Sequence, residues 1–139
     1  MTRINILPVS ELYDQHLIAE YREITMVPAA LRRTLKSKNG IDKTKISYTY
    51  TLGKGHVYFF YDKGKYLSKR YNEIIGEMKS RGFRCDPNRK FPKEIFIENG
   101  LYNDWKPTLE DCKIIKKRIK DKIMQKPNWY RKTKSSEIS

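Results

Sequence analysis

The chain has 139 residues, which is enough for one domain with a substantial core and too few for two. Thirty Lys and Arg residues against 16 Asp and Glu give a formal net charge of +14, a surplus that attracts polyanions, so nucleic acid is the first candidate partner. The sequence contains no apolar run of the ~20 residues that a membrane span needs, and no signal peptide or lipidation motif, so we expect a cytoplasmic protein that is neither membrane-bound nor secreted.

The rarer polar residues argue against a metal site. Cys85 and Cys112 lie far apart and are expected to be thiols in the cytosol. With His16 and His56 as the only histidines, no cluster has the spacing of metal ligands, and we expect neither a metal nor a cofactor. The "GKG" at 53–55 lacks the Gly-Lys-Ser/Thr ending of a phosphate-binding loop, which leaves nucleotide hydrolysis unsupported.

The first helical pattern follows Ser10, which we expect to be its N-terminal cap. Pro28 falls inside the pattern, so we predict a kink near 24–28 or two separate helices. The apolar residues recur at helical spacings: Leu17, Tyr21, Ile24, Leu31 and Leu35.

Two further helices are predicted. One begins after Asp62 and ends at Gly82, a good helix terminator. The other opens with "TLED", in which Thr108 and Asp111 form a capping box, and it ends at Pro127. Their inward-facing residues are Tyr66, Leu67, Arg70, Tyr71, Ile74, Ile75 and Met78 in the first, and Leu109, Cys112, Ile115, Ile119 and Ile123 in the second.

The stretch at 45–61 has a different pattern. Tyr48, Tyr50 and Leu52 alternate as residues of a strand do, and "HVYFFY" at 56–61 has strong β propensity. The residue pattern alone predicts a β-hairpin that turns at Gly53 and Gly55.

Positive charge is concentrated near the C-terminus, where residues 113–134 carry ten Lys and Arg and one acid. A solvated helix face usually carries both positive and negative charges. Because this run is almost entirely positive, it favours phosphate binding with counterion release. Trp129 and Tyr130 lie among the cations and could stack on or wedge between bases, although Trp129 could equally cover the core. Residues from about 131 to 139 are predicted to be a flexible basic tail.

The first helix carries a second group of polar residues. Helical spacing places Gln15, Ala19, Arg22 and Met26 on one side, with His16 and Glu23 beside them. Spacing alone does not distinguish a catalytic Glu23 from a local ion pair with Arg22.

Four segments occur in order along the chain: "MTRIN" at 1–5, "QHLIAEYREI" at 15–24, "KISYTYTLGKGHVYFFYDK" at 45–63 and "KPNWY" at 126–130. Together they resemble the viral pyrimidine-dimer DNA glycosylases, the endonuclease V family of ultraviolet repair. The resemblance is weakest across 84–108. It implies one compact all-α domain over 1–139, with three main helices and long loops, in place of the hairpin. It also implies a monomer that acts on double-stranded DNA in an infected cell.

The resemblance implies chemistry at the N-terminus. In this family Met1 is removed, and the α-amine of Thr2 attacks the sugar C1′ of a dimer, expels the base and forms a Schiff base. β-Elimination then cuts the strand, as in an AP lyase, without a metal or a cofactor. An α-amine titrates near about 7.7–8.0 against about 10.4 for lysine, so far more of it is uncharged at neutral pH. Glu23 matches the essential acid of the family.

The resemblance also implies a set of DNA-binding residues and a way of reading the lesion. Relatives bend the duplex and flip out the adenine opposite the dimer, where weakened pairing makes extrusion less costly. The matching positions are Arg3, Gln15, His16 and Arg22 near the site, Arg118 and Lys122 on the last helix, and the aromatic pair Trp129 and Tyr130.

Two departures from the family pattern leave alternatives open. Thr25 and Met26 stand where relatives have Pro-Arg, so one phosphate-binding cation is missing, and "RKTKSS" follows the aromatic pair where relatives carry more aromatics. One alternative is an abasic-site lyase with weak specificity for dimers. Another is a non-catalytic basic module that binds nucleic acid.

Overall fold

The computed structural model describes residues 3–134, and over these residues the chain is all α-helical, with no β-strand. The predicted fold class is confirmed. The helices are α1 (Asp14–Glu23), α2 (Met26–Lys36), α3 (His56–Phe59), α4 (Gly64–Ser80), α5 (Glu94–Glu98) and α6 (Leu109–Gln125), with 3-10 turns at Val9–Glu11 and Lys43–Lys45. In this part of the chain no helix combines the length and the apolar character needed to cross a membrane.

The predicted break in the first helix is confirmed. The chain leaves α1 at Ile24 and re-enters a helix at Met26, and Pro28 lies in the first turn of α2, where a missing N–H costs little. The prediction that Ser10 caps this helix is wrong, because Ser10 belongs to a 3-10 turn. The first N–H of α1, on Asp14, bonds instead to the carbonyl of Arg131, 2.7 Å away.

The hairpin that the residue pattern predicts at 45–61 is also wrong, as the family resemblance implies. Gly53 and Gly55 have φ of +70° and +93°, and they turn the chain into α3 rather than into a second strand. Tyr50 enters an aromatic cluster, in which it meets Phe59 and Phe60 edge to face at centroid distances of 6.0 and 6.1 Å, whereas Tyr48 is fully exposed. The strand-like spacing therefore does not correspond to one buried face, and packing of Tyr50 against α3 decides the local structure.

The two later helices form within the predicted bounds. α4 ends at Ser80, and Gly82, with a φ of +86°, turns the chain away just beyond it, where the N–H of Phe83 returns to the carbonyl of Met78 at 2.8 Å. Both hydrogen bonds of the predicted capping box are present at the start of α6. Leu109 is 81% exposed, contrary to prediction, because the buried face of α6 runs through Asp111, Ile115 and Ile119 instead. Ile115 and Ile119 are buried as predicted.

The N-terminal segment, residues 4–7, runs through the core between α1 and α4 and is held by a buried ion pair. Glu20 of α1 binds Arg70 of α4 through two contacts, Nε to Oε2 at 2.6 Å and Nη2 to Oε1 at 3.0 Å. The same carboxylate accepts the N–H of Asn5 at 3.0 Å, and the guanidinium donates to the carbonyl of Leu7. Between these two anchors Ile6 takes a φ of +46°, which is uncommon for a β-branched residue and persists only where the surroundings enforce it.

We predict that Arg70→Met lowers the free energy of unfolding by about 3–5 kcal/mol, because it leaves the Glu20 carboxylate buried without its cation. Urea unfolding measures this effect. The matched control is Lys69→Met on the same helix, because Lys69 is an exposed residue whose Nζ lies 2.7 Å from Asp104. It should change stability far less. Equal losses in the two variants would contradict the role given to the buried pair.

A second prediction uses two glycines of α4. A Cβ added at Gly64 would overlap the Cβ and Cγ of the buried Phe96, whereas a Cβ at Gly76 meets nothing within 4 Å. We expect Gly64→Ala to destabilise the protein by about 1–3 kcal/mol through overpacking. Gly76→Ala should stabilise it by about 0.5–1 kcal/mol, since alanine favours a helix. Thermal unfolding of both variants checks this prediction, which fails if the two shifts have the same sign.

Candidate active site

An open cleft of about 300 Å³ lies between the N-terminal segment, α1 and α6. Residues 15, 16, 19, 20 and 23 of α1 line it because this spacing repeats on one helix face. Successive turns of α6 supply the opposite wall, and residues 129–130 close one end. The full lining is Arg3, Asn5, Gln15, His16, Ala19, Glu20, Glu23, Arg118, Ile119, Lys122, Trp129 and Tyr130.

The structure brings together most of the residues that the sequence singles out. Of the predicted catalytic and DNA-binding residues, all but Thr2 and Arg22 line the cleft. Thr2 lies outside the described residues. Arg22 is exposed at the end of α1, outside the cleft lining, where its carbonyl accepts a hydrogen bond from Arg89 at 3.4 Å. Its contact with DNA therefore stays a prediction.

Glu23 lines the cleft, and its surroundings make its carboxylate a stronger base than an ordinary glutamate. Burial raises the pKa of the Glu23 carboxyl, and the nearby charge of Glu20 acts in the same direction. A hydrogen bond from the backbone N–H of Arg3, together with the charge of Arg3, opposes this effect without cancelling it. Among the ion pairs of the described residues, none joins Glu23 to Arg22, contrary to the simpler interpretation of their spacing.

The rest of the cleft is cationic. Arg3, Arg118 and Lys122 line it, and burial together with the charge of Arg118 lowers the pKa of Arg3. Burial and Arg118 also lower the pKa of His16, so its imidazole is neutral at pH 7. His16 stacks on Tyr130 with ring centroids 4.9 Å apart and planes 7° from parallel. A cleft with this charge suits an anionic ligand such as a phosphate backbone.

The sequence model of the pyrimidine dimer DNA glycosylase family matches residues 1–91, which is well over half of the chain. The chain belongs to the pyrimidine dimer DNA glycosylase family. Membership implies a DNA-repair glycosylase that acts on DNA containing pyrimidine dimers. The match includes the N-terminal segment and α1, with Arg3 and Glu23, whereas the cleft residues of α6 and those beyond it lie outside the matched range.

In this glycosylase the chain beyond α6 returns across the start of α1, and we call residues 129–133 the C-terminal strap. The side chain of Gln15 holds the strap at two points, donating from Nε2 to the carbonyl of Trp129 at 2.6 Å and accepting the N–H of Arg131 at 3.1 Å. The carboxylate of Asp14 accepts from the N–H and the hydroxyl of Thr133 at 3.0 and 2.6 Å. The described part of the predicted flexible tail is thus attached to α1.

Attachment of the strap fixes the aromatic end of the cleft. Trp129 is 52% exposed and lines the cleft, so it does not cover the core. Its ring packs edge-on against Tyr130, with centroids 4.9 Å apart, and Lys126 Nζ lies 5.1 Å from its centroid. The glycosylase therefore presents an accessible aromatic surface next to cations, an arrangement suited to stacking on bases.

Sequence reasoning missed residues that support the site through buried or long-range contacts, chiefly Glu20, Asn5 and Asp14. A signal for Glu20 was present, because it shares the buried face of α1 with Leu17 and Ile24, where an acid needs a partner. Arg70, which falls in the inward-facing series of α4, is the complementary cation. No sequence signal connects Asp14 or Gln15 to the strap, since their partners lie more than 110 positions away.

The raised pKa of Glu23 predicts a pH-dependent change in stability. Above its folded-state pKa, ionisation of the buried Glu23 carboxyl costs free energy that Glu23→Gln avoids. We expect the variant to be more stable than the wild type at pH 7. The difference should shrink as the pH falls through the folded-state pKa and vanish below the ordinary value, where the carboxyl is protonated in both folded and unfolded chains.

Urea unfolding of Glu23→Gln and wild type between pH 3.5 and 8 measures this difference. The matched control is Glu98→Gln, because Glu98 is an exposed acid at the end of α5. The control should track the wild type over the whole range. A Glu23→Gln variant that is less stable than the wild type at pH 7 would contradict the argument.

Proposed function

We propose that this chain excises cyclobutane pyrimidine dimers with the α-amine of Thr2 as nucleophile, after removal of Met1, and then cuts the strand as an AP lyase. The observation that carries the proposal is the position of Glu23. Its half-buried carboxylate lies in a cationic cleft and accepts the N–H of Arg3, the residue that follows Thr2. In a chain that starts at Thr2, the α-amine belongs to the residue bonded to the N–H that Glu23 accepts, which supports Glu23 as its partner in the chemistry.

In the first step the lone pair of the amine forms a bond to the sugar C1′ as the C1′–N bond to the pyrimidine breaks. The base takes that electron pair and a proton from solvent. The nitrogen then loses a proton, the C1′–O4′ bond opens with O4′ taking up a proton, and a protonated Schiff base is left. The Glu23 carboxylate stabilises the cationic charge that develops at C1′.

In the second step the imine acidifies the C2′ proton, which Glu23 accepts. The C–H electrons form an enamine, the C3′–O3′ bond breaks, and the 3′ phosphate leaves with its electron pair. Water then hydrolyses the imine and releases the amine. A carboxyl whose pKa is raised by burial is better matched to this proton transfer at neutral pH than an ordinary one.

The remaining residues of the cleft bind DNA in this proposal. Arg3, Arg118 and Lys122 contact phosphates, and Arg22 contacts the backbone from outside the cleft. Trp129 and Tyr130 face the bases, while Gln15 acts through the strap that carries them. The extrahelical adenine opposite the dimer, action as a monomer, and work in the cytoplasm of a cell infected by a virus belong to the same proposal.

Borohydride trapping tests the proposal, because reduction of the Schiff base joins the protein covalently to DNA. We expect the mature protein to be trapped both on a duplex with one thymine dimer and on a duplex with one abasic site, with the adduct mapped to Thr2. Glu23→Gln should bind both duplexes but cut them at least about 100-fold more slowly. A chain with one extra residue before Thr2 should trap neither, since its amine is displaced by about 3.8 Å.

Each other result has a distinct meaning. Trapping on the abasic duplex alone would indicate an abasic-site lyase with weak specificity for dimers. Met26, which is 48% exposed, would then be the first residue to substitute. Binding without trapping on either duplex, with Met1 absent by mass spectrometry, would leave only the non-catalytic basic module.

A further inference from the structure

The backbone of Ile4 is held on both sides by side chains that do not line the cleft. Its N–H donates to Nε2 of His56 at 2.9 Å, and its carbonyl accepts from the hydroxyl of Tyr50 at 2.7 Å. We infer that His56 and Tyr50 are positioning residues, which fix the direction in which the N-terminal residues enter the cleft. The inference rests on the proposed function, since it concerns where the nucleophilic amine is delivered.

His56 can accept this hydrogen bond in only one protonation state. Its Nδ1 lies 2.8 Å from the carbonyl of Thr51 and donates to it, so Nε2 carries the lone pair that meets Ile4. His56 is 2% exposed, and burial lowers the pKa of its imidazole to about 4, with Arg3 and Arg118 acting in the same direction. A neutral imidazole therefore holds Ile4 at neutral pH.

Both anchors are themselves fixed by the core. His56 is the first residue of α3, and the preceding Gly55, with a φ of +93°, makes the turn that places it there. The ring of Tyr50 meets His56 edge to face at a centroid distance of 5.4 Å and stacks against Trp105 at 6.4 Å. Neither ring can rotate away without breaking this packing.

The tether between this anchor and the amine is short. Two residues of fully extended chain span at most about 7 Å, so the Thr2 nitrogen cannot lie further than that from the nitrogen of Ile4. Asn5, the next residue, is held by Glu20. Release of Ile4 would leave the N–H of Arg3 held by Glu23 inside the cleft, with Asn5 as the nearest residue anchored by the core, so the chain around residue 4 would gain freedom. Displacement of a nucleophile by about 1 Å can cost about 100-fold in rate.

Four variants separate this role from a general loss of structure. Tyr50→Phe removes one hydroxyl, and His56→Leu removes the acceptor but keeps much of the bulk. His56→Gln restores an acceptor near the position of Nε2. The matched control is Tyr61→Phe, which removes another buried tyrosine hydroxyl, one that lies 3.1 Å from Thr34 Oγ1 and far along the chain from the N-terminal segment.

Three quantities are measured for each variant. The single-turnover rate of borohydride trapping on an abasic duplex reports the chemistry. The Kd for a duplex with a tetrahydrofuran abasic analogue, which cannot form an imine, reports binding. Hydrogen exchange of the Ile4 amide reports the anchor itself and does not depend on activity.

We expect Tyr50→Phe and His56→Leu to lower the trapping rate about 10- to 100-fold with Kd unchanged within about twofold. The Ile4 amide should exchange faster in His56→Leu, while His56→Gln should recover part of the rate and Tyr61→Phe should match the wild type. If His56→Leu does not fold, Tyr50→Phe decides the question alone.

Equal losses of trapping rate in Tyr50→Phe and Tyr61→Phe would overturn the inference, as would a rise in Kd that accounts for the lost rate. An Ile4 amide that exchanges freely in the wild type would overturn it as well. Failure of the proposed function gives a different result, because the wild-type protein would then not be trapped at all while its Ile4 amide stayed protected.

Discussion

The buried ion pair between Glu20 and Arg70 is the interaction on which the rest of this structure depends. Two charges removed from water are stable only where further hydrogen bonds complete their coordination. Here those bonds come from the backbone of residues 5 and 7, so the pair is satisfied only when the N-terminal segment runs through the core. Glu20 lies one turn before Glu23 on α1, which means that a single helix fixes both the path of the N-terminus and the position of the acid.

The cleft combines three fixed cations with the carboxylate of Glu23 and a neutral imidazole. Arg3, Arg118 and Lys122 supply positive charge for a polyanion, and any amine brought among them is favoured in its uncharged form. The two histidines near the cleft are kept neutral by burial. Under the proposed mechanism, the positive charge that attracts DNA also favours the uncharged amine, whose lone pair attacks C1′. Glu23 is then the group that accepts the C2′ proton.

The correct and the wrong predictions differ in how far apart along the chain the interacting residues lie. Helix bounds, the break before Met26 and the shared face of α1 follow from spacing and local capping, which neighbouring residues determine. Ser10 failed as a cap because a carbonyl from Arg131, far along the chain, satisfies the first N–H of α1. The hairpin failed because aromatic packing around Tyr50 overrode strand propensity, and the Glu20 pair went unnoticed because its two halves lie 50 positions apart.

Two walls of the cleft come from different parts of the chain, and α1 connects them. The wall with Arg3 and Glu23 lies within the matched family range, while the aromatic and basic wall comes from α6 and the strap, beyond residue 91. Gln15 binds the strap from the same helix that carries Glu23, so α1 supports the acid and the aromatic end of the cleft together. Under the proposed function, substitutions in the strap alter how DNA is held, while Glu23 lies about two turns further along α1 and keeps its own contact with Arg3.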